Sequence, residues 1–145
     1  MAGIPSNEIQ YLLATKVIDF SGDVFTIILM QSGFVFDRDD HNTYADVLAS
    51  ELPNENHGYT QGAKNLSGVA VTRNDTDDKT KITWNNVQWI AGGGDIGPSA
   101  GAIIFDNTIT TPVVDPIVGY IEFDNDRTQV DGGTFTIANP EVDIG

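Results

Sequence analysis

Two apolar stretches near the middle of the chain constrain its fold more than any other feature. Residues 100–105 contain no polar side chain, and this pattern predicts a central strand that is covered on both faces. Residues 117–123 alternate between apolar and polar positions, which predicts a strand with one face in water, the face of Tyr120 and Glu122. The link between the stretches is rich in Thr, Asp and Pro, so it favours a connection over a helix. We therefore expect the two stretches to pair in the middle of an antiparallel sheet.

Turn signals divide the rest of the chain into further short elements. Apolar or alternating runs that predict strands occur at residues 24–30, 69–72, 81–84, 87–90 and 134–137. Before them, Ser6 is a predicted N-cap, and apolar residues recur at helical spacing from residue 7 to residue 16. A single helical turn is predicted after Thr43. These elements predict a mainly β fold, an antiparallel β-sandwich of about eight strands with a short N-terminal helix.

The length of 145 residues favours one domain with a real core over two small domains. We predict a single β-sandwich domain at residues 9–138. Residues 1–8 are expected to form a flexible N-terminal arm, because chain termini are disordered unless they are tied down. Asn139-Pro140 should end the sheet, which leaves residues 139–145 as a short acidic C-terminal tail.

The charge of the chain excludes several classes of partner. The net charge is −14 and the pI is near 4.1, so the surface repels phosphate backbones and anionic lipids, and we expect neither nucleic acid nor a membrane as a partner. No apolar run approaches the roughly 20 residues of a membrane helix, and the N-terminus lacks the pattern of a signal peptide. We therefore expect the protein to be made and folded in a cytoplasm. The absence of cysteine excludes disulfides and thiolate metal sites.

The residues that catalysis needs are scarce. His41 and His57 are the only histidines, both lie in polar loops, and neither is near a G-x-S-x-G elbow, so no catalytic residue and no enzyme activity are predicted. Acidic residues cluster at residues 37–40, 75–78 and 124–131 without the spacing of an EF-hand. Aspartate in turns ordinarily bonds its own backbone, so we predict no metal and no cofactor, and leave calcium in one of these loops open.

The N-terminal helix carries one candidate binding surface. Its apolar stripe contains Ile9, Leu12 and Leu13 and needs a partner. The stripe either packs on the sheet of its own subunit or makes assembly contacts with a neighbouring subunit, and the pattern is compatible with both.

Three aromatic residues near predicted loops form a second candidate, for glycan contacts. Tyr59, Trp84 and Trp89 offer rings on which a sugar could stack beside Asp or Asn. The alternative is that Trp84 and Trp89 lie on adjacent strands and pack in the core. Burial of the two indoles decides between these interpretations.

Several short motifs follow one another along the chain. A helical Tyr-Ala-Asp-Val at residues 44–47 precedes Glu51-Leu52 and a Gly-Tyr-Thr-Gln-Gly at residues 58–62. A Gly-Tyr-Ile-Glu-Phe strand at residues 119–123 and a Gly-Thr-Phe-Thr-Ile strand at residues 133–137 come later. In the order and spacing of these motifs, the chain resembles a family of small virion structural proteins of tailed bacteriophages.

This resemblance implies a non-enzymatic component of the phage particle, a capsid decoration (cement) protein on the outside of the head shell. Its implied partners are the major capsid protein and further copies of itself, as a dimer or trimer, and its implied location is the exterior of the virion. A tail, baseplate or fibre adaptor and a carbohydrate-binding adhesion module are the alternatives. The chain departs from the family in having Ala63 where a second glycine is usual, and in ending after Asn139-Pro140 without the usual apolar C-terminal strand.

Overall fold

The computed structural model describes residues 2–145 and confirms a mainly β fold with a short N-terminal helix. In chain order, the elements are β1 (Ala2–Pro5), α1 (Asn7–Ala14), β2 (Phe25–Gln31), α2 (Tyr44–Val47) with a 3-10 turn at Leu48–Ser50, β3 (Lys64–Asn65), β4 (Ala70–Asn74), β5 (Lys79–Thr83), β6 (Val87–Ile90), β7 (Ile96–Asp106), β8 (Ile117–Gln129), β9 (Thr134–Ile137) and β10 (Glu141–Ile144). No helix within residues 2–145 is long and apolar enough to cross a membrane.

Eight strands form one large sheet in the order β3-β2-β7-β8-β1-β10-β5-β4, and β6 and β9 form a small second sheet. Neighbouring strands are antiparallel except β1 and β10, so the large sheet is mixed rather than wholly antiparallel as predicted. The two edge strands, β3 and β4, are consecutive in sequence and are joined by residues 66–69 alone. Because such a link spans at most about 18 Å, the large sheet has to curl until its edges approach each other.

The central pair of strands is the pair that the sequence predicts. β7 and β8 lie side by side in the middle of the large sheet, and residues 101–106 of β7 are buried. The predicted wet face of β8 is wrong for Tyr120, which is only 2% exposed. Phe34 and Phe36 cover this residue from the loop after β2, with ring centroids 5.3 and 5.5 Å from that of Tyr120. The centre of the sheet is therefore covered on both faces.

A bulge in β8 explains why the predicted alternation fails. Ile117 and Gly119 of β8 pair with two consecutive residues of β7, so β8 has one extra residue, Val118, at this point. As a result, Ile117 and Tyr120 belong to the same core cluster, although a strict period of two places them on opposite faces.

Both ends of the described chain are strands, where the sequence predicts a flexible arm at residues 1–8 and an acidic tail at residues 139–145. β1 lies between β8 and β10, and β10 pairs with β1 and β5. Val142 and Ile144 of β10 are buried in the alternating pattern of a strand. These segments are therefore part of the domain, apart from Met1, which lies outside the described residues. The expected absence of an apolar C-terminal strand is likewise wrong.

Gly119 allows β1 to lie close to β8. A Cβ atom at this position would lie 2.7 Å from the carbonyl oxygen of Ile4 in β1. The first residue of the Gly-Tyr-Ile-Glu-Phe motif is thus a requirement of the sheet, since a larger residue would push β1 away.

Candidate functional site

The predicted assembly residues of α1 face the interior of their own subunit. Ser6 caps the helix, because its hydroxyl accepts a hydrogen bond from the Ile9 N–H at 3.2 Å. Ile9 and Leu12 are fully buried in the main hydrophobic core, and Leu13 is half-buried against it. α1 therefore packs on its own sheet, and Ile9 and Leu12 have no surface left for a neighbouring subunit.

The three rings predicted as glycan contacts are core residues. Tyr59, Trp84 and Trp89 are 5%, 3% and 3% exposed. Trp84 packs against Phe25 with ring centroids 5.6 Å apart, and Trp89 packs against Phe135 at 5.9 Å. The two tryptophans are not on adjacent strands, since Trp84 follows β5 of the large sheet and Trp89 lies in β6 of the small one. Buried in this way, the rings offer no face to a sugar.

A buried carboxylate holds the segment between α2 and β3 together. Glu51 is 1% exposed, and it accepts hydrogen bonds from the hydroxyls of Tyr44 and Tyr59, each at 2.5 Å, and from the Gly62 N–H at 2.9 Å. Burial raises the pKa of Glu51, and the three donors oppose this shift because they stabilise the charged form. Burial and the nearby carboxylate also raise the pKa of Tyr59, which keeps its hydroxyl protonated and able to donate.

The same network protects one edge of the large sheet. The Tyr59 hydroxyl accepts a hydrogen bond from the Leu29 N–H at 2.9 Å, and the Leu29 carbonyl accepts one from the Leu52 N–H at 2.9 Å. Next to them, Met30 forms an isolated β-bridge with Glu51. These contacts satisfy the backbone of β2 where the two-residue strand β3 no longer reaches it.

An open groove of about 380 Å³ lies beside the outer half of β8. Gly101 pairs with Glu122, and Ser99 pairs with Arg127. β8 thus advances five residues while β7 advances two, so three extra residues bulge out of β8. The groove has apolar and polar lining residues, among them Ile121, Phe123, Ile137, Asp124, Asp126 and Arg127.

Arg127 packs on two aromatic rings in the wall of the groove. Its guanidinium lies 4.8 Å from the ring centre of Phe123 and 4.6 Å from that of Phe135, and it donates a hydrogen bond to the Thr136 carbonyl at 2.9 Å. Asp124 and Asp126 add two carboxylates to this single positive charge. The groove therefore has the chemistry to bind an extended segment with an apolar side chain and a positive charge.

The histidines and the acidic turns bond nearby backbone groups. His41 accepts a hydrogen bond from the Asp37 N–H through Nδ1 at 2.9 Å, and Nδ1 of His57 lies 3.2 Å from the Asp95 carbonyl. Asp37 in turn accepts the Asp39 N–H at 2.9 Å, the ordinary role of aspartate in a turn. Across residues 2–145, no group of three or more His, Asp or Glu side chains is arranged to hold a metal ion.

No protein family, curated protein or solved structure matches this chain, so its function has to be inferred from its residues and their geometry. Two features are available for that inference. The network around Glu51 is buried and acts on the fold, whereas the groove beside β8 is accessible to a partner.

Proposed function

We propose that this chain is a non-enzymatic structural protein of a tailed-bacteriophage virion, a capsid decoration (cement) protein that binds the outside of the head shell. The observation that carries the proposal is that three separate motifs of the family resemblance meet in one buried network. Tyr44, Glu51 and the segment from Tyr59 to Gly62 are joined by hydrogen bonds. Motifs that specify one fold have to meet in space, so this convergence supports treating them as one signature rather than as separate coincidences.

The charge and the anchored ends of the chain suit this role. A net charge of −14 keeps the protein away from packaged nucleic acid. Residues 2–5 and 141–144 are paired in the sheet, so these two segments are not loose binding arms. A weak contact per subunit is sufficient when several linked copies engage a shell at once, since the later contacts are intramolecular.

We assign the shell contact to the groove beside β8. Its two carboxylates complement a basic, extended segment of the major capsid protein, and its apolar lining can take up an apolar side chain of that segment. The groove is present without a partner, and Arg127 already lies over Phe123 and Phe135, which limits the ordering that binding would require.

Cryo-electron microscopy of the virion whose genome encodes this chain tests the proposed location. We expect density for this fold in many copies, in icosahedral register on the outer surface of the shell. A few copies at the tail, the baseplate or one vertex would replace decoration with the adaptor alternative. Absence of the chain from the particle would overturn the virion proposal.

A binding assay with undecorated shells tests the groove. The double variant Asp124→Asn with Asp126→Asn should bind about tenfold more weakly than the natural chain. The variant Asp39→Asn with Asp40→Asn removes the same charge from another loop and should bind normally. Equal weakening in both variants would mean that overall charge, and not the groove, governs binding.

A further inference from the structure

The outer side of β4 is an unpaired edge of the large sheet. Within residues 2–145 it pairs only with β5, and the register of that pairing is unbroken from one end of β4 to the other. Residues 70–73 are exposed, and Val71 is 53% exposed. Strand edges are often protected by a proline, a bulge, a covering segment or charged side chains, and of these the described chain provides along β4 only the charge of Arg73. The outer N–H and C=O groups of β4 are therefore able to pair with another strand.

The charge of the β4–β5 hairpin favours the approach of a second copy. Residues 70–83 contain three basic and three acidic side chains, so the hairpin is neutral and the other 131 of the 145 residues carry the whole net charge of −14. The basic residues Arg73, Lys79 and Lys81 lie on the strands, and the acidic residues lie in the turn at residues 75–78. Two copies repel each other through their acidic surfaces, but hairpin can approach hairpin without net repulsion.

We propose that two copies of this chain pair through β4, edge to edge and antiparallel, about a two-fold axis. Such a pair places one residue of the strand opposite its own copy. With Thr72 at the axis, every residue of β4 is paired, and Arg73 faces Val71 of the other copy. Centring the pair on Arg73 would instead oppose two like charges. The large sheets of the two copies then form one continuous sheet across the axis.

This pairing goes beyond the proposed function, because it needs no shell and occurs in the purified protein. Three strands separate β4 from β8 in the sheet, so the pairing edge and the groove are distinct surfaces. A pair of copies therefore presents two grooves. On a shell, those two grooves would give bivalent attachment and raise the avidity of a weak contact.

A single cysteine tests the register, because the natural chain has none. Thr72→Cys places the two thiols on facing strands with Cα atoms about 5 Å apart, a separation that a disulfide spans. Thr76→Cys in the turn is the control, because in this register it lies about eight residues, or about 27 Å, from its own copy. Mild oxidation should cross-link Thr72→Cys at least about tenfold faster than Thr76→Cys. Equal rates, or no cross-linking of either variant, would overturn the two-fold pairing.

Charge substitutions at Val71 give an independent test. Residue 71 faces Arg73 of the other copy, so Val71→Glu creates two ion pairs across the axis, whereas Val71→Lys creates two like-charge pairs. Sedimentation equilibrium should give a dimer Kd about tenfold lower for Val71→Glu than for Val71→Lys. General repulsion predicts the opposite order, because the lysine reduces the net negative charge and the glutamate increases it. The proposal would be overturned by that opposite order, or if the natural chain and both variants remain monomeric at about 1 mM.

Discussion

One edge of the large sheet is covered, whereas the other is bare, and the two edges use different kinds of residue. At the covered edge, β3 pairs with the start of β2, and the segment around Glu51 and Tyr59 bonds the rest of it. At the bare edge, β4 pairs inward with β5, and its side chains are exposed. The first edge is built from buried hydrogen-bonding groups, and the second from small and polar side chains that water can reach.

This difference separates stability from association. A buried polar network stabilises a fold only when all its members are paired, so the covered edge is sensitive to the loss of any one of them. The bare edge contributes little to the core, and substitutions there should leave the fold intact. We therefore expect mutations at the covered edge to act on unfolding and mutations at β4 to act on pairing.

Removal of the Glu51 carboxylate should have the largest effect on stability. Glu51→Ala leaves the hydroxyls of Tyr44 and Tyr59 and the Gly62 N–H without their acceptor inside the protein. Each unpaired buried donor costs about 1–3 kcal/mol, so we expect the free energy of unfolding to fall by about 4 kcal/mol. Urea denaturation measures this loss, and exposed Glu55→Ala is the control that should change little.

Glu51→Gln sharpens the same test. The amide keeps one acceptor oxygen but presents N–H groups to the other donors, so its cost should lie between those of the natural residue and alanine. If Glu51→Ala is as stable as the natural protein, the covered edge does not depend on the carboxylate, and the contrast between the two edges fails.

α1 contains a smaller version of the contrast between buried and accessible positions. Leu12 is fully buried and Leu13 is half-buried, so Leu12→Ala should cost about 3 kcal/mol and Leu13→Ala clearly less. For the same reason, Leu12→Asp should unfold the domain, whereas Leu13→Asp should leave it folded but less stable. Circular dichroism and urea denaturation measure both effects. A larger loss for Leu13 than for Leu12 would contradict the packing of α1 on its own sheet.

Asp106 makes the stability near the covered edge depend on pH. It is fully buried opposite Phe25 of β2, and its Oδ1 accepts the Thr108 N–H at 2.9 Å. Its Oδ2 has no hydrogen-bond partner among the described residues, and the Asp23 carboxyl lies near that of Asp106. Burial, with the Asp23 carboxyl second, raises the pKa of Asp106 to about 8 from an ordinary value of 3.8. Between these values the folded protein keeps a proton that the unfolded chain has lost.

Stability should therefore fall as the pH rises through this range, by at most about 1.4 kcal/mol per pH unit for this one group. Asp106→Asn preserves the shape and offers an amide N–H to Asp23, so the fall between about pH 5 and about pH 8 should become shallower. Exposed Asp95→Asn is the matched control and should keep the slope. Urea denaturation at several pH values in this range measures the free energy of unfolding. If its dependence on pH is the same in Asp106→Asn as in the natural protein, buried Asp106 does not hold the proton.

The sequence predicts the strands whose signals are local. Residues 87–90 and 134–137 coincide with β6 and β9, because a short alternating run between turns is sufficient to define each of them. β1 and β10 are not predicted, since β1 lies in a terminal segment that is expected to be disordered and Asn139-Pro140 indicates the end of the sheet, and since their parallel pairing joins residues far apart in sequence. The sequence signal for β10 is the alternation of apolar Val142 and Ile144 with acidic Glu141 and Asp143.

The Glu51 network and the candidate groove depend on pairing between distant residues, and this is why the sequence does not reveal them. The Glu51 network joins segments that lie in separate sequence motifs, and no local sequence pattern indicates that these segments are in contact. The groove lies where β8 has three more residues than the paired part of β7. This bulge depends on the register between the two strands, which the sequence of one strand alone does not determine. The three aromatic residues illustrate the same limit, since the sequence leaves core and surface open for Tyr59, Trp84 and Trp89.

The smallest expected loss of stability is at the bare edge, where one cross-strand pair joins an exposed residue to a buried one. Val71 and Ile82 are opposite each other on β4 and β5, yet Val71 is 53% exposed and Ile82 is fully buried. Val71→Ala should lower the free energy of unfolding of the monomer by less than about 0.5 kcal/mol, whereas Ile82→Ala should lower it by about 3 kcal/mol. Urea denaturation at a protein concentration below the dimer Kd measures both. A loss above about 1 kcal/mol for Val71→Ala would mean that the monomer itself packs the outer side of β4. The edge would then be part of the fold, like the β2 edge, and not a surface left for a second copy.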